Sequence, residues 1–462
     1  MTPRPLGLPD AARTHFNARA EELVLQLVPV YRAPDGPARK AGLALRIPAH
    51  TIEVDDGSII HTLGLVNGLG TEQARGFDAG GEFIGLQGEA MELASRYLLK
   101  LWERPECNKT LSETFLRRAL FSWLESRFKK VPETLTFLEY LDAEVEKTVR
   151  ARTIVIPIEF LDLDSGFQLG EVSFDYFRED AFDTIDRSRP LHWPPVTPEM
   201  TAFAEDLRKK YQGKAYCSIR LEGEPERCLE LAREEIDRAL AILRCYSPAA
   251  FVPQVPSYFG RAGNAHLPEL DCFVFEAATE QPGAAELFTQ HISRVDEHRP
   301  PHWRIWGDDM ARFERAGLFS AGRLLVTPLR SDLQERLLVC FELFARGLCS
   351  VRFETRLVFA LVALESLLLR NETEPIERNL AMRAAFLTER DLEKRRGVIT
   401  TMKEAYAARS RFLHHGKATS EDEDFAGHFQ HIVWSVLRSV LDRPERTKDE
   451  LLQAIDDKML SA

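Results

Sequence analysis

The side chains best equipped for chemistry crowd into one stretch near the C-terminus, Tyr406-Ala407-Ala408-Arg409-Ser410-Arg411-Phe412-Leu413-His414-His415-Gly416. An imidazole titrates near neutrality, so a His can take or give a proton at physiological pH. A guanidinium stays charged, and its planar fork grips oxyanions. Two Arg and two adjacent His in eleven residues therefore suit acid–base chemistry beside a stabilised negative charge. Arg409 and His414 are the candidate catalytic pair. His415, Tyr406 and Ser410 are candidate supports.

Spacing limits how these groups can cooperate. Arg409 and His414 are five apart, or ~140° around an ideal helix at ~100° per residue. They share no face of one straight helix. Either the helix loosens before Gly416 or another chain completes the site. Arg411 and His415, four apart, do share a face. Gly416 suits a helix C-cap. Lys394-Arg395-Arg396, Lys403, Arg411 and Lys417 add positive charge to the same segment. Such a run is either a solvated face or an electropositive cleft; Lys403, Arg411 and Lys417 are the candidate RNA contacts if it is a cleft.

Apolar periodicity predicts the elements that must hold this segment. From about 329, strand-like runs vanish and four or five helices follow at 330–348, 352–370, 375–388, 390–413 and 424–442, with a short last one at 448–460. Helix 352–370 is apolar on most sides, and Glu365 falls inside its apolar arc, between Leu361 and Val358. A carboxylate there must be paired or become protonated. It either anchors a cap or a nearby cation such as Arg383, or orients a catalytic Arg or His. His428 and His431 lie three apart, but no third ligand stands nearby, so no metal site is expected. The acidic run Glu421-Asp422-Glu423-Asp424 suits the start of the following helix.

The first two-thirds read as an α+β region, 1–325, with a Pro-rich connection near 190 that could subdivide it. Helices are expected at 14–30, across 88–149, at 198–212 and up to about 246. Strands are expected within 43–68, at 151–163, 167–177 and 215–223, with Asp164-Ser165-Gly166 as a hairpin turn. The glycines at 64, 68, 70, 76, 80, 81, 85 and 88 are read as loop residues, since no phosphate-binding fingerprint joins them to a strand and a helix. His298-Arg-Pro-Pro-His-Trp-Arg-Ile-Trp306 reads as a linker packed on a domain surface in preference to a nucleic-acid contact. No nucleophile elbow or CxxC appears.

Composition bounds the class. The 462 residues exceed what a single core usually supports. A net charge of −12 argues against a protein that coats nucleic acid non-specifically. Residues 331–462 carry 20 Lys+Arg against 22 Asp+Glu, leaving 40 against 50 upstream, so the helical part is nearly neutral. Seven Cys without paired spacing read as reduced thiols. No apolar signal segment opens the chain, and Leu357 to Leu369 is too short an apolar run for a bilayer. A soluble, cytoplasmic protein is expected.

The C-terminal pattern resembles the HEPN superfamily, within it the ApeA-like domains. The residues carrying the resemblance are Leu364-Glu365-Ser366-Leu367, Asn379, Arg383, Tyr406, Arg409, Ser410, His414 and Gly416, within roughly 330–445. The family motif is an Arg followed by a His after four to six residues; Arg409 fits with either His414 or His415. Ser410 stands where the wider superfamily often has Asn, Asp or His. The resemblance implies that the α+β N-terminal region is followed by an all-α HEPN-like helical bundle at 330–462. It implies a metal-independent endoribonuclease that works as a homodimer without cofactor, in some relatives as a toxin or anti-phage effector. It equally admits an inactive scaffold.

The residues support either reading. RNA cleavage without a metal needs a base for the 2′-OH, an acid for the leaving 5′-oxygen and a cation for the phosphorane, which His and Arg supply. The expected product is a 2′,3′-cyclic phosphate. The alternative is a non-catalytic dimerisation or RNA-binding scaffold in which Arg and His are structural. In both, the N-terminal part is expected to sense a trigger or select a substrate. A metal-dependent nuclease is disfavoured, since no carboxylate cluster of suitable spacing is visible.

Overall fold

The computed structural model describes residues 6–32, 51–54, 62–66, 71–80, 82–131, 135–179, 182, 198–261, 269–276, 285–291, 303–326, 330–350, 352–371, 373–415 and 423–461. The chain divides into two compact units. One is Met1–Arg152 with Leu221–Glu230; the other is Thr153–Arg220 with Leu231–Ala462. The change of sequence texture at about 329 falls inside the second unit. The Pro-rich connection near 190 lies outside the described residues.

The first unit joins helices to an antiparallel sheet. Strands β1 (Val28–Arg32), β2 (Thr51–Val54), β3 (Thr62–Val66), β4 (Glu72–Asp78) and β5 (Glu82–Gln87) are ordered β1-β5-β4-β3-β2. Helices α1 (Asp10–Val24), α2 (Glu89–Trp102), α3 (Glu113–Phe128) and α4 (Phe137–Thr148) bury Phe16, Met91, Leu98, Leu116, Trp123 and Phe137 in a common core with Leu86. In α2 the buried positions Met91, Ala94, Leu98 and Leu101 recur every three or four residues, one face of a helix. Ser112 caps α3 by accepting from the Phe115 N–H at 3.0 Å.

Two expectations for this unit need correction. The first helix is shorter and earlier than 14–30: it ends at Val24, and Val28 begins a strand. The glycines at 64, 76 and 85 are strand residues, not loop residues. The cause is close approach. A Cβ on Gly85 would lie 1.9 Å from the Arg75 carbonyl oxygen, and one on Gly76 would lie 2.6 Å from Val30 Cγ2. Glycine is what lets β4 and β5 cross there.

The second unit is built on a seven-stranded sheet. Strands β6 (Arg150–Glu159), β7 (Leu161–Leu163), β8 (Phe167–Leu169), β9 (Val172–Tyr176), β10 (Ala215–Gly223), β11 (Gly260–Arg261), β12 (Glu269–Glu276), β13 (Ala285–His291) and β14 (Trp303–Ile305) lie along this part of the chain. The sheet runs β13-β12-β6-β10-β9-β8, with β11 beside β6. The turn at 164–166 does not join a hairpin of 151–163 with 167–177, as the sequence suggested. The hairpin is β8–β9, turning at Gly170 with φ 57°, while β7 pairs in parallel with β14. Trp303 packs at 5.3 Å from the Phe259 ring, whereas Trp306 just beyond the strand is exposed with Arg304 over its ring.

Helices α5 (Pro198–Tyr211), α6 (Pro225–Arg244) and α7 (Asp309–Ala316) accompany this sheet in the chain. The rest of the unit is helical: α8 (Asp332–Leu348), α9 (Phe353–Leu368), α10 (Ile376–Thr388), α11 (Leu392–His415), α12 (Glu423–Leu441) and α13 (Lys448–Leu460). These match the expected helices to within three residues at each end. Their starts have local causes. Ser331 and Gln334 form a reciprocal capping box on α8, and Thr447 and Glu450 form one on α13. Among the described residues, no helix is long and apolar enough to cross a membrane.

Candidate functional site

Glu365 projects from α9 between buried Leu361, Leu364 and Leu368 and meets two side chains of α11. Arg409 donates from Nη1 to Glu365 Oε1 at 2.6 Å. The Tyr406 hydroxyl donates to the same oxygen. The guanidinium carbon of Arg409 lies 5.8 Å from the Tyr406 ring centre. The cation that pairs with Glu365 is Arg409. Glu365 does not anchor Arg383.

Electrostatics explains why the three belong together. Glu365 and Arg409 retain about a fifth and a quarter of their side-chain exposure, so both charges are substantially desolvated and each needs the other. Burial pushes the Tyr406 hydroxyl well above the ordinary tyrosine range, and its bond to the Glu365 carboxylate adds to that. Tyr406 is therefore a fixed donor at physiological pH. Arg409 Nε is buried without a hydrogen-bond partner among the described residues. The guanidinium engages Glu365 through Nη1.

The remaining motif residues lie elsewhere on α11. That helix runs without interruption to His415, so it does not loosen before Gly416. Lys403, Ser410, Arg411 and His414 are exposed. At ~100° per residue, Ser410 and His414 fall within ~20° of Lys403 and Arg411 within ~80°. They share a solvent-facing strip, whereas Tyr406 and Arg409 turn towards α9. Within one chain, the helix keeps Arg409 and His414 on different faces. Ser410 takes no part in the Glu365 contacts. The His415 side chain, Gly416 and Lys417 lie outside the described residues.

Asn379 and Arg383, which also carried the resemblance, belong to a separate clamp that the sequence did not disclose. Arg383 donates to Glu374 at 2.8 Å, to Asp456 at 3.1 Å and to the Leu368 carbonyl at 2.7 Å. Asn379 donates to Glu374 at 2.6 Å. Burial alone would raise the Glu374 carboxyl, but the Asn379 and Arg370 N–H donors and the Arg383 charge outweigh it and hold it below the ordinary range. The clamp ties the end of α9 to α10 and α13. Its Arg is consumed by structural partners.

His431 stacks on Trp434 at 6.1 Å between ring centres. Among the described residues, no group of three or more His, Cys, Asp or Glu is placed to hold a metal ion. No protein-family model, curated protein or solved structure matches the chain.

Proposed function

We propose that the C-terminal helices form a HEPN-like, metal-independent endoribonuclease in which Arg409 stabilises the phosphorane and His414 moves protons. The observation that carries this reading is the Glu365–Arg409–Tyr406 arrangement. A cation meant to meet a developing charge gains from being oriented in advance by fixed, partly desolvated partners. In the proposed step the 2′-oxygen attacks phosphorus while an imidazole takes its proton. The 5′-oxygen leaves with a proton from an imidazolium. The products are a 2′,3′-cyclic phosphate and a 5′-hydroxyl. Because the helix separates Arg409 from His414, the reading includes a second copy of the chain supplying one of the two. The exposed Lys403 and Arg411 would hold the RNA backbone, and the upstream part of the chain would govern when or what is cut, as in a toxin or anti-phage effector.

One observation favours a second reading. Arg409 already has a carboxylate partner, and an Arg so paired commonly serves packing. The α11 strip of Lys403, Ser410, Arg411 and His414 would then bind RNA on a non-catalytic scaffold.

His414 separates the two. It is an exposed residue at the end of α11. Purified protein is incubated with end-labelled RNA in EDTA. The catalytic reading expects cleavage by the wild type, cyclic-phosphate ends, and a loss of at least a hundredfold in His414→Ala. Equal RNA degradation by wild type and His414→Ala sinks it; RNA retention without cleavage supports the scaffold.

A further inference from the structure

A second polar site lies around the turn that follows α6. Residues 246–251 lead out of the helix through a short 3-10 turn, Pro248–Ala250. Three side chains beside this turn have buried polar atoms without a hydrogen-bond partner among the described residues, Tyr246 Oη, Arg356 Nη2 and Trp434 Nε1, and so does Gln430, in both amide atoms. Tyr246 and Trp434 meet edge to face at 6.1 Å, and Phe251 meets Trp434 at 5.4 Å. Gln430 lies four residues before Trp434 on α12, on the same side of the helix. Arg356 Nη1 faces the Ala249 carbonyl at 3.5 Å.

Arg356 is the least ordinary of the four. It is 1% exposed, in the first turns of α9. Its other bond goes to the Ser350 carbonyl at 2.7 Å, so both of its partners are neutral. Glu354, the nearest acid along the helix, faces Arg352 at 3.7 Å. Burial without a carboxylate pushes the Arg356 guanidinium down to about 10. A buried cation of this kind calls for an anion.

We propose that Tyr246, Arg356, Gln430 and Trp434 form a binding site for a small oxyanion of the phosphate class, either free or carried by a nucleotide. Arg356 supplies the charge. Trp434 Nε1, Gln430 Nε2 and the Tyr246 hydroxyl supply neutral donors. Gln430 Oε1 is an acceptor amid donors, which suits an oxyanion that retains a proton, as monohydrogen phosphate and a singly ionised phosphomonoester do and sulfate does not. The cover is the segment 251–258, which is neither helix nor strand and exposes Phe251, Val252, Val255 and Tyr258. Its described backbone bonds are few: Phe251 and Val252 N–H to Pro248, Val255 N–H to Val252 and Ser257 N–H to Leu348. Such a segment opens more readily than a helix or a strand. The site is independent of the RNA-cleaving reading, because none of its residues belongs to the Glu365–Arg409 arrangement.

The test is calorimetric titration of the full chain with inorganic phosphate, adenosine monophosphate and sulfate, in phosphate-free buffer. Phosphate binds the wild type, and Trp434→Phe weakens binding by roughly tenfold through loss of one donor to a charged ligand. Arg356→Met abolishes it; Trp434→Phe, a milder change, keeps the test readable if Arg356→Met misfolds. Tighter binding of adenosine monophosphate than of phosphate assigns the oxyanion to a nucleotide, and equal binding assigns it to free phosphate. The proposal fails if neither ligand binds the wild type, if Trp434→Phe binds as tightly, or if sulfate matches phosphate. RNA cleavage by Trp434→Phe should match the wild type in each case.

Discussion

Tyr406 and Arg409 reach the same oxygen of Glu365, so the three cannot be removed independently. Losing the Tyr406 hydroxyl deletes one hydrogen bond to a carboxylate, worth about 1–2 kcal/mol at neutral pH. Losing Glu365 leaves the partly buried Arg409 charge without its carboxylate and should cost more, about 2–3 kcal/mol after allowing for its remaining exposure. Denaturant unfolding of Tyr406→Phe, Glu365→Ala and the double variant should show a double loss well short of the sum. The pH dependence carries a sign. The Tyr406 hydroxyl loses its proton less readily in the folded chain than in the unfolded one. Its stabilisation is complete below the unfolded tyrosine value of about 10 and declines as pH rises beyond it. The gap between wild type and Tyr406→Phe should therefore narrow above that pH. A gap that widens there would contradict a raised tyrosine. At this scale the sequence disclosed that Glu365 needed a partner, because a carboxylate in an apolar arc always does. It could not disclose which one. Arg383 was as available as Arg409, and the choice rests on how α9 and α11 cross, which no local spacing encodes.

Elements divide sharply in how far they could be read. The C-terminal helices were legible because their apolar residues recur at three and four, and because Ser331 and Thr447 open α8 and α13 with local caps. The strands β4 and β5 were not, since their glycines resemble loop punctuation until the neighbouring strand is in place. Gly85 shows the physical reason. Its missing side chain is a requirement of the pairing with β4, and the demand comes from Arg75 and Gly76 across the sheet. Gly85→Ala would set a methyl 1.9 Å from a backbone oxygen that has no side-chain freedom to retreat. Overpacking of a buried position costs about 1–3 kcal/mol, and a backbone clash belongs at the upper end. Chemical denaturation followed by the tryptophan signal of the first unit should show a destabilisation of that size. Gly80→Ala is the control, because a Cβ there meets nothing within 4 Å and only its backbone angle of φ 90° is strained. A Gly85→Ala no less stable than Gly80→Ala would show that β4 and β5 do not approach as described.

For the whole molecule, the unbroken α11 makes the order of assembly a matter of chemistry. Had the helix loosened before Gly416, one chain could have brought Arg409 and His414 together. It remains helical through His415, with Arg409 turned to α9 and His414 turned to solvent. A catalytic pair then needs the His414 strip of one copy to face the Arg409 of another. That requirement has a consequence which single variants cannot supply. Arg409→Lys keeps a cation for Glu365 but lacks the planar fork, and His414→Ala lacks the proton carrier. Each alone should be inactive on RNA. Mixed in equal amounts and allowed to exchange, half of the two-fold pairs would be mixed, and each would hold one intact composite site out of two. About a quarter of wild-type cleavage should return. The recovery should depend on total protein concentration, since dilution separates the copies. If the mixture stays inactive while both variants remain folded and dimeric by sedimentation, the two residues do not act across a subunit boundary. The Glu365-bound Arg409 would then be a structural tie, and the exposed strip of α11 would be left with binding as its role.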